Sequence, residues 1–160
     1  MIRLHARARR GERAHDSAPG GWRRLSVLGA LCGAGMVAAM SIPAATATRI
    51  FLAFLRAVLV PELRRSHPGA TMLMGNLSAR QPKAVATVLT KAGFKLLHLP
   101  RYSPDLSPIE PGWSKLKSAL RAAAARTHDA LDAARAPALD SITQADARGW
   151  FNHCGYSFPN

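Results

Sequence analysis

Cysteine is almost missing from this chain of 160 residues: Cys32 and Cys154 stand alone. They form no CxxC pair and have no histidine partner at ligand spacing, which argues against a zinc site. A disulfide between them stays open, although a reduced compartment needs fewer assumptions. Acids are scarce as well, with nine Asp and Glu against 22 Lys and Arg and a formal charge of +13. That balance points to polyanions, nucleic acid ahead of an anionic membrane surface. It speaks of partners and not of fold, and attraction to phosphate reads no base sequence. A genome biased toward arginine and alanine codons would produce the same surplus with no partner at all. Internal repeats are lacking, and the alanine run 122–125 is the one low-complexity stretch. A chain of this length builds one domain with a real core, and not two.

What is present begins with a basic lead. Residues 1–24 hold seven arginines against Glu12 and Asp16, with only a weak alternation at Ile2 and Leu4, and read as mostly irregular. Residues 25–48, LSVLGALCGAGMVAAMSIPAATAT, carry no charge. Behind Arg23-Arg24 they imitate an export signal, with small residues before Arg49. Glycines at 29, 33 and 35 and Pro43 weaken them as a membrane span. The alternative is a hairpin, strands 25–32 and 36–42 joined at Gly33-Ala34-Gly35. Physics alone leaves export and hairpin level.

Ile50, Phe51, Phe54, Leu55, Val58 and Leu59 recur at helical spacing and predict an amphipathic helix over 46–66, kinked or ended by Pro61. Residues 70–74 (ATMLM) predict a short strand stopping at Gly75-Asn76. A helix over 82–92 closes at Gly93, and a strand follows over 94–99. Strand, helix and strand in this order make a βαβ unit with parallel pairing. Helices near 108–126 and 127–143 follow, the second capped by Thr127 and bent at Pro137. The tail 149–156, GWFNHCGY, is assigned to packing, with His153 and Cys154 too close together to share one tetrahedral ion. Trp113 likewise reads as core.

The chain is organised around residues 99–117, LPRYSPDLSPIEPGWSKLK. Three prolines stiffen the loop that joins the last strand to the next helix. One acid, Glu110, stands at the helix start, with Trp113, Lys115 and Lys117 behind it. Two readings compete. Ser107-x-x-Glu110 fits a capping box, in which the glutamate bonds only backbone and Pro108 takes the first helical position. A carboxylate on a rigid loop beside lysines also fits part of a metal site on nucleic acid.

These residues resemble a known family. LPRYSPDLSPIEPGWSKLK is similar to the block that carries the third acid in DDE transposases of the mariner-like insertion-sequence superfamily. MLMGNLSAR (72–80) resembles that family's second-acid block, an apolar strand ending in Asp-Asn-x-x-x-His. ARRGERAHDSAPGGWRRLSVLGAL (8–31) and GWFNHCGY are similar in register. The resemblance implies an α/β, RNase H-like mixed sheet flanked by helices, with residues 25–157 a partial DDE endonuclease domain. It implies two Mg²⁺ or Mn²⁺ ions held by three carboxylates, activating the attacking oxygen and stabilising the leaving one in DNA cleavage and strand transfer. Glu110 would be the third ligand. DNA, as transposon ends and target, would be the partner, with Arg80, Lys83, Arg101, Lys115, Lys117 and Arg121 on phosphate; a homodimer is compatible with it. The same resemblance turns the uncharged run into a hairpin of a cytoplasmic, non-membrane domain.

The departures are as informative. Gly75 stands where the second acid belongs, and Arg80 where the histidine belongs. No Asp or Glu precedes Arg10-Gly11-Glu12, so the first acid and its strand are expected to lie before Met1. That strand is central in the family's sheet, and its loss would leave unpaired backbone mid-sheet, which residues 1–6 would fill at most in part. Asp16 and Asp105 are the nearest substitute acids, the latter better suited to bonding its own loop. The chain is therefore expected to be a truncated, inactive remnant of such a domain. A basic DNA-binding or interaction protein without catalysis is the alternative, and an exported small protein the third.

Overall fold

The computed structural model describes residues 7–13, 25–75, 83–125 and 127–158. The uncharged run is a hairpin. β1 (Ser26–Cys32) pairs antiparallel with β2 (Gly35–Ile42), with a bulge between Ala30 and Leu31. Alternate β1 side chains enter different cores. Leu28 and Ala30 pack with Phe51, Phe54, Leu55 and Leu59, whereas Val27 packs with Leu116, Leu120 and Trp113. A strand pair covered on both faces has no solvent side to charge, and this accounts for the missing charges. No helix among the described residues is long and apolar enough to cross a membrane.

The amphipathic segment is helical but changes its winding. α1 (Thr48–Phe54) runs into a π-helical turn, Leu55–Leu59, and on into α2 (Val60–Ser66). Pro61 explains the change. Proline lacks an N–H and its ring collides with the carbonyl four residues back, and a wider turn just upstream relieves both. The helix is therefore neither ended nor sharply broken at Pro61.

The βαβ unit forms as the pattern predicts. β3 (Thr71–Met74) and β4 (Lys95–His98) are parallel, Thr71 opposite Lys95 and Met74 opposite His98, with α3 (Lys83–Lys91) between them in sequence. Val85 and Leu89 of α3 are fully buried against the larger core. α4 (Ile109–Ala122) and α5 (His128–Asp140) follow, and Thr127 Oγ1 caps α5 by accepting from Ala130 N–H at 3.1 Å. Pro137 lies inside α5. A further helix, α6 (Gln144–His153), occupies the stretch whose aromatic end was assigned to packing.

The architecture is the expected mixed α/β one, small sheets flanked by helices. Among the described residues the sheet is split: β1–β2 and β3–β4 form separate pairs. Residues 28–32 of β1, β3 and Gly75 just beyond it line one cavity of about 190 Å³, together with Phe51, Phe54 and Leu63. This cavity lies between the two strand pairs. Residues 1–6, 14–24 and 76–82 lie outside the described residues.

Candidate functional site

The loop before α4 is built from turns that hold each other. Tyr102 takes a left-handed conformation (φ 59°), rare for a residue with a side chain, and its ring is almost wholly exposed. A 3-10 turn, Pro104–Leu106, follows. Tyr156 Oη, beyond α6, donates to the Leu106 carbonyl at 2.9 Å and ties the tail to this loop. Ser107 N–H donates to the Pro104 carbonyl and Glu110 N–H to the Ser107 carbonyl, each at 3.0 Å.

This pattern corrects the capping box. The N-cap of α4 is Pro108, and no side chain caps that end. The Ser107 N–H that the Glu110 carboxylate would have bonded is already taken by Pro104, and Pro111, at the third helical position, has no N–H to offer. Glu110 is thus released from a capping role, exposed at the positive end of the helix.

Two close approaches orient α4. Gly29 of β1 leaves room for the Trp113 ring, since a Cβ there would come within 2.8 Å of it. Gly112 faces Trp150 of α6, where a Cβ would lie 3.3 Å from the ring. Lys115 adds a polar clamp: its ammonium donates to Asp146 Oδ2 at 2.6 Å. Asp146 also accepts from Thr143, completing a capping box at the start of α6. The Lys115 ammonium first, and the Thr143 bonds second, hold the Asp146 carboxyl down to about 2.

Gly75 and the start of α4 converge. Gly75, Ser107, Pro108 and Ile109 all line the cavity between the strand pairs. The end of β3 and the residues that open α4 thus border the same cavity, and Glu110 is not among its lining residues. Among the described residues no group of three His, Cys, Asp or Glu could hold a metal ion. Asp105 does not substitute: it is exposed in the 3-10 turn and makes no hydrogen bond to its loop among the described residues. Asp16 lies outside them. A Mg²⁺ or Mn²⁺ pair needs several hard oxygen donors, and those among the described residues do not fit it.

The cations divide into three groups. Lys117 and Arg121 lie seven and eleven positions after the acid Glu110 and so share its face of α4, spread over about 16 Å at 1.5 Å per residue. Lys83 and Arg101 are exposed, at the start of α3 and in the loop after β4. Lys115 is half-buried and held by Asp146, so it serves the α4–α6 contact and is not free for phosphate. Arg80 lies outside the described residues.

The tail packs through Cys154, Trp150 and Phe151, whereas His153, also assigned to packing, is exposed. Cys154 is buried, and burial raises its thiol above the usual range. Phe151 stacks edge-on with Tyr156 and Phe158 at 6.0 and 5.2 Å. Both cysteines are free. The Asp146–Lys115 pair and α6 itself went unread in the sequence, although Thr143-x-x-Asp146 is the kind of signal that marks a helix start.

Residues 1–132 match the model of the DDE superfamily endonuclease family. No curated protein matches the sequence. Among solved structures the fold is similar to that of a Mos1 transposase paired-end complex with left transposon end, at 15% identity and a TM-score of 0.69. It is similar to the Mos1 strand transfer complex at 16% and 0.69, and to a Mos1 mariner paired end complex with Mn at 15% and 0.69. Each match covers 96% of this chain and 46% or 47% of the other, so this chain spans slightly less than half their length. At such identities the likeness carries the fold.

Proposed function

This chain belongs to the DDE superfamily endonucleases, and from that premise we propose that it is a transposase-type DDE domain that retains the third-acid position but not the catalytic set. One observation carries the reading. Gly75 and the first turn of α4 line one cavity, so the second-acid block faces the helix that bears Glu110, and it brings no carboxylate. Two-metal phosphodiester chemistry depends on ions clamped a few ångströms apart by shared carboxylates. Glu110 alone would leave such an ion mostly to its own water, because Mg²⁺ gives up hydration reluctantly. What the remaining residues do is bind. Lys117 and Arg121, in line with Glu110, together with Lys83, Arg101 and the +13 charge, support contact with a DNA backbone.

The test is plasmid nicking by the purified chain in Mg²⁺ or Mn²⁺. The expected result is no cleavage above a protein-free blank. Metal-dependent nicking that disappears in Glu110→Gln would overturn the proposal. The non-catalytic alternative shares the same binding residues and predicts DNA affinity that falls steeply with salt, regardless of sequence.

A further inference from the structure

A second basic feature lies away from Glu110, in a groove between two helices. Arg56, Val60 and Arg64 line one side, and Ala84, Thr87, Val88 and Lys91 of α3 with Ala92 just beyond it line the other, around a volume of about 440 Å³. It shares no lining residue with the cavity at Gly75.

The groove follows from local sequence. In a regular α-helix, residues four and eight apart drift progressively round the axis, because 3.6 residues make a turn. The π-helical turn Leu55–Leu59 holds more residues per turn and rotates the chain less, so Arg56, Val60 and Arg64 fall closer to one line. Opposite them, Ala84 and Ala92 are short and leave the floor open on either side of Val88. Cations therefore rim an apolar floor on both sides.

These cations have no internal partner among the described residues. The acid nearest in sequence, Glu62, is bidentate to Arg65 at 2.7 and 2.8 Å and leaves Arg64 unpaired. No acid lines the groove. Three like charges held around one depression repel one another, and an extended anion relieves that repulsion. Arg56 and Arg64 are about 12 Å apart along the helix, at 1.5 Å per residue. That separation lets the two arginines meet different phosphates of one extended strand, whose charges recur along the duplex. A single small anion would engage one end only.

We propose that the groove between the π-helical segment and α3 is a second phosphodiester-binding site, in which Arg56, Arg64 and Lys91 follow one strand of a DNA backbone. The site rests on the DNA-binding reading above but not on the Lys117–Arg121 face of α4.

The experiment measures the affinity of the full chain for a short duplex as a function of salt. The chain is compared with the triple variant Arg56→Ala, Arg64→Ala, Lys91→Ala and, separately, with Lys117→Ala, Arg121→Ala. Each phosphate contact contributes about 0.9 to the slope of log K on log salt. The triple variant should therefore lose about 2.7 from the slope, which shrinks the affinity drop between 50 and 200 mM salt by about 40-fold. Amide shifts at Ala84, Val88 and Ala92 on adding the duplex report the groove without any substitution. An unchanged slope in the triple variant, while the Lys117, Arg121 variant changes, overturns this site and leaves the α4 reading intact. Failure of the unaltered chain to bind duplex at low salt overturns both. Equal shifts with inorganic phosphate at the same phosphate concentration reduce the groove to a small-anion site and overturn the proposal. Equal affinity for oligoglutamate does so too. Because the three residues lie on the surface, an Arg56→Lys, Arg64→Lys variant that keeps the slope separates lost charge from lost fold.

Discussion

Glu110 has no capping duty in this structure, which leaves it only its place at the positive end of α4. Its helix begins without a side-chain cap, its carboxylate is exposed, and the bond a capping box would give it is already made by Pro104. Lys115, off the stripe of Glu110, Lys117 and Arg121, is by contrast structural. Its partner Asp146 has a folded-state pKa held down to about 2, below the ordinary value near 4. A depressed carboxylate contributes stability that is complete above the unfolded pKa and is lost as pH falls through the folded one. Replacing Lys115 with Met should therefore lower the urea midpoint at pH 7. The gap to the unaltered protein should close progressively between about pH 4 and pH 2. Urea unfolding at pH 7, 3 and 2 checks this; a gap that stays constant into acid would mean that the pair contributes nothing. The same variant should leave the salt slope of DNA binding unchanged, unlike the Lys117, Arg121 pair.

At the scale of the elements, helix starts separate what sequence reveals from what it conceals. Two S/T-x-x-D/E patterns occur, at Ser107–Glu110 and Thr143–Asp146, and only the second is a capping box. Thr143→Ala should cost about 1 kcal/mol, within the usual range of about 0.5–2 for a lost N-cap, whereas Ser107→Ala should cost about 0.5 kcal/mol or less. Thermal or urea unfolding of the two variants gives the comparison, and equal losses would contradict the assignment. The difference was not legible in the chain because it turns on prolines. Pro104 seeds a turn that claims the Ser107 N–H, and Pro111 removes a donor. The βαβ unit and α4 were legible from their apolar periods and α5 from its Thr127 cap, whereas the hairpin was chosen over an export signal only through the family resemblance. The π-helical turn was not, because Pro61 signals disruption without saying whether the helix bends, stops or widens. α6 was hidden by an aromatic tail whose spacing suggested packing more than helix.

At the scale of the whole molecule, the two cores explain how a basic chain with few acids still folds. Leu28, Phe51, Phe54, Leu55, Val85 and Leu89 build one core, and Leu116, Leu120 and Ala138 another, with the hairpin between them. Almost all charge is left to the outside, and none of the buried residues is polar or charged among those described. The family resemblance was readable from four short blocks, and it correctly drew the uncharged run into the domain. What it could not supply was the meeting of Gly75 with the α4 start in one cavity, which depends on tertiary packing of Trp113 on Gly29 and Trp150 on Gly112. That meeting is the core of the account. On the proposed reading, the second-acid position borders the same cavity as the start of α4 and brings no carboxylate to it.

Manganese binding tests that claim most directly. Mn²⁺ is paramagnetic and broadens the amide signals of any residues near a bound ion. In a titration of the full chain, the account predicts no saturable broadening at Gly75, Ile109 and Glu110 below millimolar Mn²⁺. Saturable broadening there at micromolar metal, abolished in Glu110→Gln, would contradict it.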